Sequence, residues 1–192
     1  MEYIKLGETD LKVSRIGFGC WAIGGKGWGK VEDKESIAAI YKALDVGINF
    51  FDTADIYGYG HSEEILGEVL SKRKEVIIAT KGGLDWGQFG DKFPRPNQQH
   101  YGMGGRIIEG IVRNCQPDYL EAAINASLKR LKREYIDIYY IHWPDMIVPW
   151  EETVEVLLKS QKEGKIRYIG VSNFSVEQVK EWLNFGPVHV IQ

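Results

Sequence analysis

Only two of the 192 residues are cysteine, and Cys20 and Cys115 stand far apart. They are too few for a disulfide scaffold and lack metal-ligand spacing, so a reducing, cytoplasmic location is expected. Histidine is nearly as scarce. His61, His100, His142 and His189 show no ligand spacing and no His-Glu-x-x-His, and no metal is expected. Charge of neither sign dominates: 24 Lys+Arg against 27 Asp+Glu leave a net charge of −3. That balance argues against a nucleic-acid partner or a polybasic membrane surface. No apolar run approaches the ~18 residues of a membrane span. The opening Met1-Glu2-Tyr3-Ile4-Lys5 lacks the basic-then-apolar build of a secretory leader, so no membrane association is expected. A Gly-x-Ser-x-Gly nucleophile elbow, the mark of many serine hydrolases, is missing as well.

What remains is globular in composition, with 44% hydrophobic and 27% charged residues, which excludes general disorder. The 22 glycines, 6 tryptophans and 10 tyrosines suit a fold with many sharp connections and a pocket. The length suits a single domain, 1–192, and falls short of the ~250 residues typical of a closed eight-stranded α/β barrel.

Short apolar runs alternate with helical stripes along the chain. The expected strands are Arg15–Gly19, Ile48–Asp52, Val76–Thr80, Ile136–Ile141, Ile166–Val171 and Val188–Ile191. Each is nearly continuous in apolar residues, as parallel strands covered on both faces require. Between them, apolar residues recur at helical spacing: Ile37, Ile40, Tyr41 and Leu44; Ile65, Leu66, Val69 and Leu70; Leu120, Ile124, Leu128 and Leu131; Val154, Leu157 and Leu158; Val176, Val179 and Leu183. Asp118 with Glu121 and Ser175 with Gln178 have capping-box spacing, and Gly47, Gly164 and Gly186 stand where helices should end. The β-α-β-α order favours a parallel sheet with right-handed crossovers. Strand starts near 16, 48, 76, 136, 166 and 188 step by 32, 28, 60, 30 and 22 residues, against roughly 30 for one βα unit. The long step holds a loop, about Gly82–Pro117, rich in Gly, Pro and Gln and read as an active-site lid carrying Trp86, Phe89, Phe93 and Tyr101. A short hairpin in Glu2–Val13, turning at Gly7-Glu8-Thr9-Asp10, precedes the first unit.

Two glycine motifs are misleading. Gly17-Phe18-Gly19-Cys20-Trp21-Ala22 has the spacing of a dinucleotide fingerprint. The Gly24-Gly25-Lys26-Gly27-Trp28-Gly29 that follows cannot open the helix such a motif needs. The same cluster is no phosphate-binding loop, because Cys20 stands where its first glycine belongs and Gly27 follows Lys26 instead of Ser or Thr.

In a parallel barrel the chemistry collects at the C-terminal strand ends. Those ends supply Asp52, Lys81 and His142, with Tyr57 just beyond the second strand. Singly, Tyr57 reads as packing and His142 as a satisfied core histidine. Lys81 is harder to dismiss, since an ammonium at the mouth of an apolar strand needs a partner, for which Asp52 is the natural choice. Together they fit proton donation, with Lys81 lowering the pKa of Tyr57, Asp52 holding the lysine, and His142 orienting a carbonyl oxygen.

Phe50-Phe51-Asp52-Thr53-Ala54-Asp55-Ile56-Tyr57-Gly58 with Ser62-Glu63-Glu64-Ile65-Leu66-Gly67, then Thr80-Lys81, Ile141-His142-Trp143-Pro144 and Ile169-Gly170-Val171-Ser172-Asn173-Phe174, resemble the aldo-keto reductase signatures in order. The Ile141-His142-Trp143-Pro144-Asp145 form resembles the bacterial and stress-protein branches. The resemblance implies a (β/α)8 TIM-type barrel, NADP(H) bound without a Rossmann domain, a small carbonyl substrate, and the tetrad Asp52, Tyr57, Lys81 and His142. It also implies cofactor contacts from Cys20, Trp21, Asp52, Ser172, Asn173 and Gln192. Six of the family's eight βα units are expected here. The parts that complete the barrel and clamp the cofactor phosphates would follow the sixth strand, and an open edge there would favour self-association. Other readings are a non-catalytic cofactor-sensing or scaffold subunit, an inactive fragment, and a cofactor-independent barrel enzyme using Tyr/Lys chemistry.

Overall fold

The computed structural model describes residues 1–25, 31–101 and 107–192, so the glycine-rich 26–29 and part of the long loop lie outside the described residues. The chain opens with an antiparallel hairpin of β1 (Tyr3–Lys5) and β2 (Lys12–Ser14), as expected from its turn residues. Gly7 takes φ +52°, and Thr9 donates its hydroxyl to the Leu6 carbonyl at 2.5 Å.

Units of strand and helix follow: β3 (Phe18–Gly19), α1 (Asp33–Asp45), β4 (Phe50–Asp52), α2 (His61–Leu70) and β5 (Ile77–Gly82). After an insertion of β6 (Leu84–Asp85), β7 (Gln99–Tyr101) and β8 (Ile107–Arg113) come α3 (Pro117–Leu131), β9 (Ile136–Ile141), α4 (Trp150–Lys162), β10 (Ile166–Val171), α5 (Val176–Trp182) and β11 (Val190–Ile191). The main sheet runs in the order β11-β10-β9-β5-β4-β3, every pairing parallel. This is part of a (β/α)8 barrel, with the six expected strands present. β9 and β10 match their expected bounds; β3, β4 and β11 are shorter, because only their last residues pair.

The sheet is strongly curled. Gln192, just after β11, donates its amide to Asp52 of β4 at 2.9 Å. Four strand spacings in a flat sheet would hold those ends roughly 19 Å apart. Alternation along β5 and β9 sends Ile77, Ala79, Ile138 and Tyr140 into one core with Leu11 and Val13 of the hairpin. Ile78, Tyr139 and Ile141 join the larger core under the helices.

Several local expectations are corrected. Ser175 and Gln178 form the capping box, but Asp118 and Glu121 do not. Pro117 already opens α3, which places Asp118 inside the first turn, where its charge favours the helix dipole. Gly47 and Gly164 take the left-handed cap conformation at φ +87° and +76°. Gly186 does not; a side chain there would strike Val154. On α5 the buried residue is Trp182, while Val176 and Leu183 are exposed, since that helix is too short to present a full stripe. The loop expected to be irregular carries an antiparallel sheet, β6-β8-β7. It is pinned to the segment after β9: Arg113 donates to the Pro144 carbonyl at 2.9 Å, and the Met146 N–H donates to Gln98 at 3.2 Å. Phe89 and Phe93 stand edge-on to Tyr119 of α3 and so pack on a helix instead of facing the strand ends.

Candidate active site

Strand alternation that turns Ile77 and Ala79 inward also turns Lys81 inward, and the same rule carries Tyr140 to His142. Register sets Asp52 beside Ala79, and Lys81 beside Tyr140. The three side chains therefore reach one rim. Lys81, only 1% exposed, donates to Asp52 Oδ1 at 2.6 Å, to the Thr53 carbonyl at 2.8 Å and toward Tyr57 Oη at 3.4 Å. The other Asp52 oxygen accepts from Gln192. The carboxylate is thus held on both sides.

Tyr57 lies in a short turn whose shape depends on glycine. Gly58 has φ +63°, and a side chain on it or on Gly24 would drive into the other's backbone. The ring of Tyr57 stacks on Trp21 with centroids 5.9 Å apart, and its edge contact with His142 is at 5.8 Å. Burial, with the Asp52 charge second, pushes the Tyr57 phenol well above its ordinary range. The expected lowering by Lys81 is not what this geometry gives, because burial of the phenol dominates. Tyr57 is a neutral phenol that holds its proton until an oxyanion develops beside it.

Burial lowers the Lys81 pKa, and the contact with Asp52 opposes that fall. His142 is held well below its usual value by burial and by the Lys81 charge, so its ring is neutral at pH 7. The backbone N–H of His142 donates to the Gly82 carbonyl at 2.9 Å, and its backbone carbonyl accepts from the Asn173 side-chain amide at 2.8 Å. Asn173 reaches back this way from a left-handed φ of +61°, a conformation that Asn tolerates.

A cavity of about 840 Å³ opens over these groups. Trp21, Tyr57, His142, Ser172, Asn173 and Gln192 form one wall; Leu84, His100, Ile107, Ile108 and Ile111 from the inserted sheet form the other. A smaller hollow of about 330 Å³, between the segment after β9 and α5, holds none of the catalytic candidates. Asp52 and Lys81 support Tyr57 from outside the cavity wall. Cys20 departs from expectation: its thiol is fully buried in the helix-side core and does not line the cavity. Its backbone instead ties strand ends together, with the N–H donating to the Asp52 carbonyl at 2.8 Å and the carbonyl accepting from Ser62 at 2.9 Å.

The sequence reading missed His100 and the isoleucines of β8 as cavity residues. The β-branched run Ile107-Ile108…Ile111-Val112 was the available signal. It also missed a buried cluster behind the site, where Glu63 binds Arg130 and Thr80, each at 2.6 Å. Asp55 in that cluster is wholly buried, and its oxygens make no well-formed hydrogen bond among the described residues.

The profile of the Aldo/keto reductase family matches residues 15–191. Over its whole length the chain is 45% identical to aldo-keto reductase YhdN of Bacillus subtilis, covering 53% of that protein. It is 39% identical to the NADH-specific methylglyoxal reductase of Escherichia coli, again over its whole length and over 58% of the relative. The solved glycerol dehydrogenase of Gluconobacter oxydans superposes with a TM-score of 0.80 at 38% identity, over 99% of this chain and 54% of that one. The chain spans a little over half the length of these relatives. With its parallel half-barrel and the family's signature residues gathered at one rim, the chain belongs to the aldo/keto reductase family.

Proposed function

We propose that this chain carries the proton-transfer centre of an NADP(H)-dependent reductase that converts aldehydes or ketones to alcohols. The observation behind this reading is the buried Lys81 ammonium, shared between Asp52, Thr53 and Tyr57 at the foot of the cavity. The polar set Ser172, Asn173 and Gln192, facing Trp21 and Tyr57, fits the carboxamide and ring of a nicotinamide. Among the described residues the cavity wall has no Lys or Arg, so the fit is to the nicotinamide end and not to the phosphates. When bound, the nicotinamide supplies the hydride. Tyr57 then delivers its proton to the oxygen as negative charge develops there, and the neighbouring Lys81 charge stabilises the tyrosinate left behind. Asp52 and Gln192 keep that lysine in place, and the neutral His142 ring orients the substrate oxygen. The sheet β6-β8-β7 acts as the cover that keeps water from this wall.

The test is Tyr57→Phe in the 192-residue chain, with carbonyl reduction and cofactor quenching of Trp fluorescence measured for NADPH and NADH. Turnover should fall by at least about 100-fold, while quenching persists. Unchanged turnover would remove Tyr57 from its role. Binding without turnover in the unsubstituted chain would return the cofactor-sensing reading.

A further inference from the structure

Arg130 of α3 stands behind the cavity wall and not in it, yet it connects three of the parts that build the site. Gly67 of α2 leaves room for its backbone, since a side chain there would strike the Arg130 carbonyl. From that fixed base the stem reaches the turn that carries Tyr57. A Cβ added to Gly60 would lie 2.7 Å from Arg130 Cδ, so the stem rests directly on the turn. The guanidinium then divides. Nε donates to Glu63 Oε2 at 2.6 Å, and the other Glu63 oxygen accepts from Thr80, the residue before Lys81. Nη1 donates to Gln88 Oε1 of the inserted segment at 3.3 Å. Gln88 carries the connection on. Its amide donates to the Tyr119 hydroxyl at 3.0 Å, which donates at 3.1 Å to the carbonyl of Leu84 in the opposite cavity wall.

The turn and the insertion meet a second time. Tyr59 holds φ at +56°, a region that bulky residues rarely adopt, and its ring stacks on Trp86 with centroids 5.2 Å apart. Strain of this kind persists only where the surroundings fix it. Here they are the Arg130 stem at Gly60 and the Trp86 ring at Tyr59. A planar fork with fixed donor directions can hold two elements in register, which a single flexible ammonium cannot.

We propose that Arg130 is a positioning residue: it keys the turn bearing Tyr57 to the inserted sheet and so sets where the phenol stands against the opposite wall. The inference rests on the proposed role of Tyr57 as proton donor. Arg130 acts through Gly60, Glu63 and Gln88. A phenol misplaced by about 1 Å loses on the order of 100-fold in rate, while the walls that bind the carbonyl compound remain. The loss therefore falls on kcat and little of it on KM.

Indole 15N signals of the full 192-residue chain give a readout that needs no turnover, each identified by its loss in Trp21→Phe, Trp86→Phe or Trp182→Phe. Arg130→Ala should move the signals of Trp21 and Trp86, whose rings rest on Tyr57 and Tyr59, and leave Trp182 of the helix-side core in place. Millimolar guanidinium, which fits the space of the lost group, should return both signals toward their native positions. Urea, flat but uncharged, should not. Arg130→Lys keeps a charge beside Glu63 without the fork to Gln88; it should shift both signals by less, and it decides the matter if Arg130→Ala does not fold. With benzaldehyde and NADPH, kcat of Arg130→Ala should fall about 100-fold and recover in part with guanidinium. Unmoved Trp21 and Trp86 signals in either variant, equal shifts at Trp182, or urea acting as well as guanidinium would overturn the proposal. Shifted signals with an unchanged kcat would also overturn it and leave the reductase reading. Shifts restored by guanidinium, in a chain whose unsubstituted form reduces no carbonyl compound, would support Arg130 as the key between the walls and remove the reductase reading.

Discussion

Lys81 sits where water hardly reaches it, and Asp52 is the carboxylate bound to it. Removing that carboxylate in Asp52→Ala strands a buried ammonium, and breaking such pairs costs about 3–5 kcal/mol. Urea unfolding at pH 7 should show a loss of that order, and a change below 1 kcal/mol would mean the pair is hydrated. Asp55 presents the opposite case. Burial, with Glu63 second, holds its carboxyl well above the ordinary value near 3.8, while the Arg130 charge, then Ile56 and Gln88, oppose the shift. The unfolded chain therefore releases a proton that the folded chain keeps. Stability falls as pH rises from near 3.8 toward the raised folded value, and below that window the penalty vanishes. Asp55→Asn should raise Tm at pH 7 and flatten that descent; an equal or lower Tm would show that the ionised carboxylate is stabilised. Asp52, Tyr57, Lys81 and His142 were legible because strand ends can be counted and their side-chain chemistry is distinctive. Cys20 was misplaced because a two-residue strand gives too little alternation to tell the core side from the cavity side.

Elements were legible where the chain keeps one period. β9 and β10 are continuous apolar runs buried by neighbours on both sides, and α2, α3 and α4 are held by apolar stripes. The inserted sheet was hidden because β6 and β7 are two and three residues long, the β7–β8 register shifts, and Gly110 at φ +76° interrupts β8. The turn carrying Tyr57 depends on two such glycines, and Gly58→Ala tests it. A left-handed conformation costs a non-glycine residue roughly 1–2 kcal/mol, and the new methyl would also strike the Gly24 backbone. The variant should lose at least that much stability in urea. Its 15N spectrum should show shifts at Trp21 and His142, whose rings rest against Tyr57. A native spectrum and stability would show that the turn does not need glycine.

At the scale of the molecule, successive βα units set each strand of the main sheet parallel and beside the last, the arrangement that the repeating β-α order favours. The role of the N-terminal hairpin could not be read that way, since its contacts span most of the chain. Asp10 accepts from Arg167 at 2.7 and 3.0 Å and from the Tyr168 hydroxyl at 2.9 Å, 157 and 158 residues away. Above that clasp Leu11 and Val13 close the inner core of Ile77, Ala79, Ile138 and Tyr140. The inward rows of β5 and β9 run on from this core to Lys81 and His142, so the hairpin floors the column whose top is the active site. Leu11→Ala should therefore cost about 2–5 kcal/mol, the range for a truncated core leucine, whereas exposed Leu158→Ala should stay within about 0.5 kcal/mol. The two unfolding midpoints decide the matter. If Leu11→Ala falls by as little as Leu158→Ala, the hairpin is a surface ornament and the inner core closes without it. If it falls by the larger amount, the first fourteen residues are part of what holds Lys81 and His142 in place.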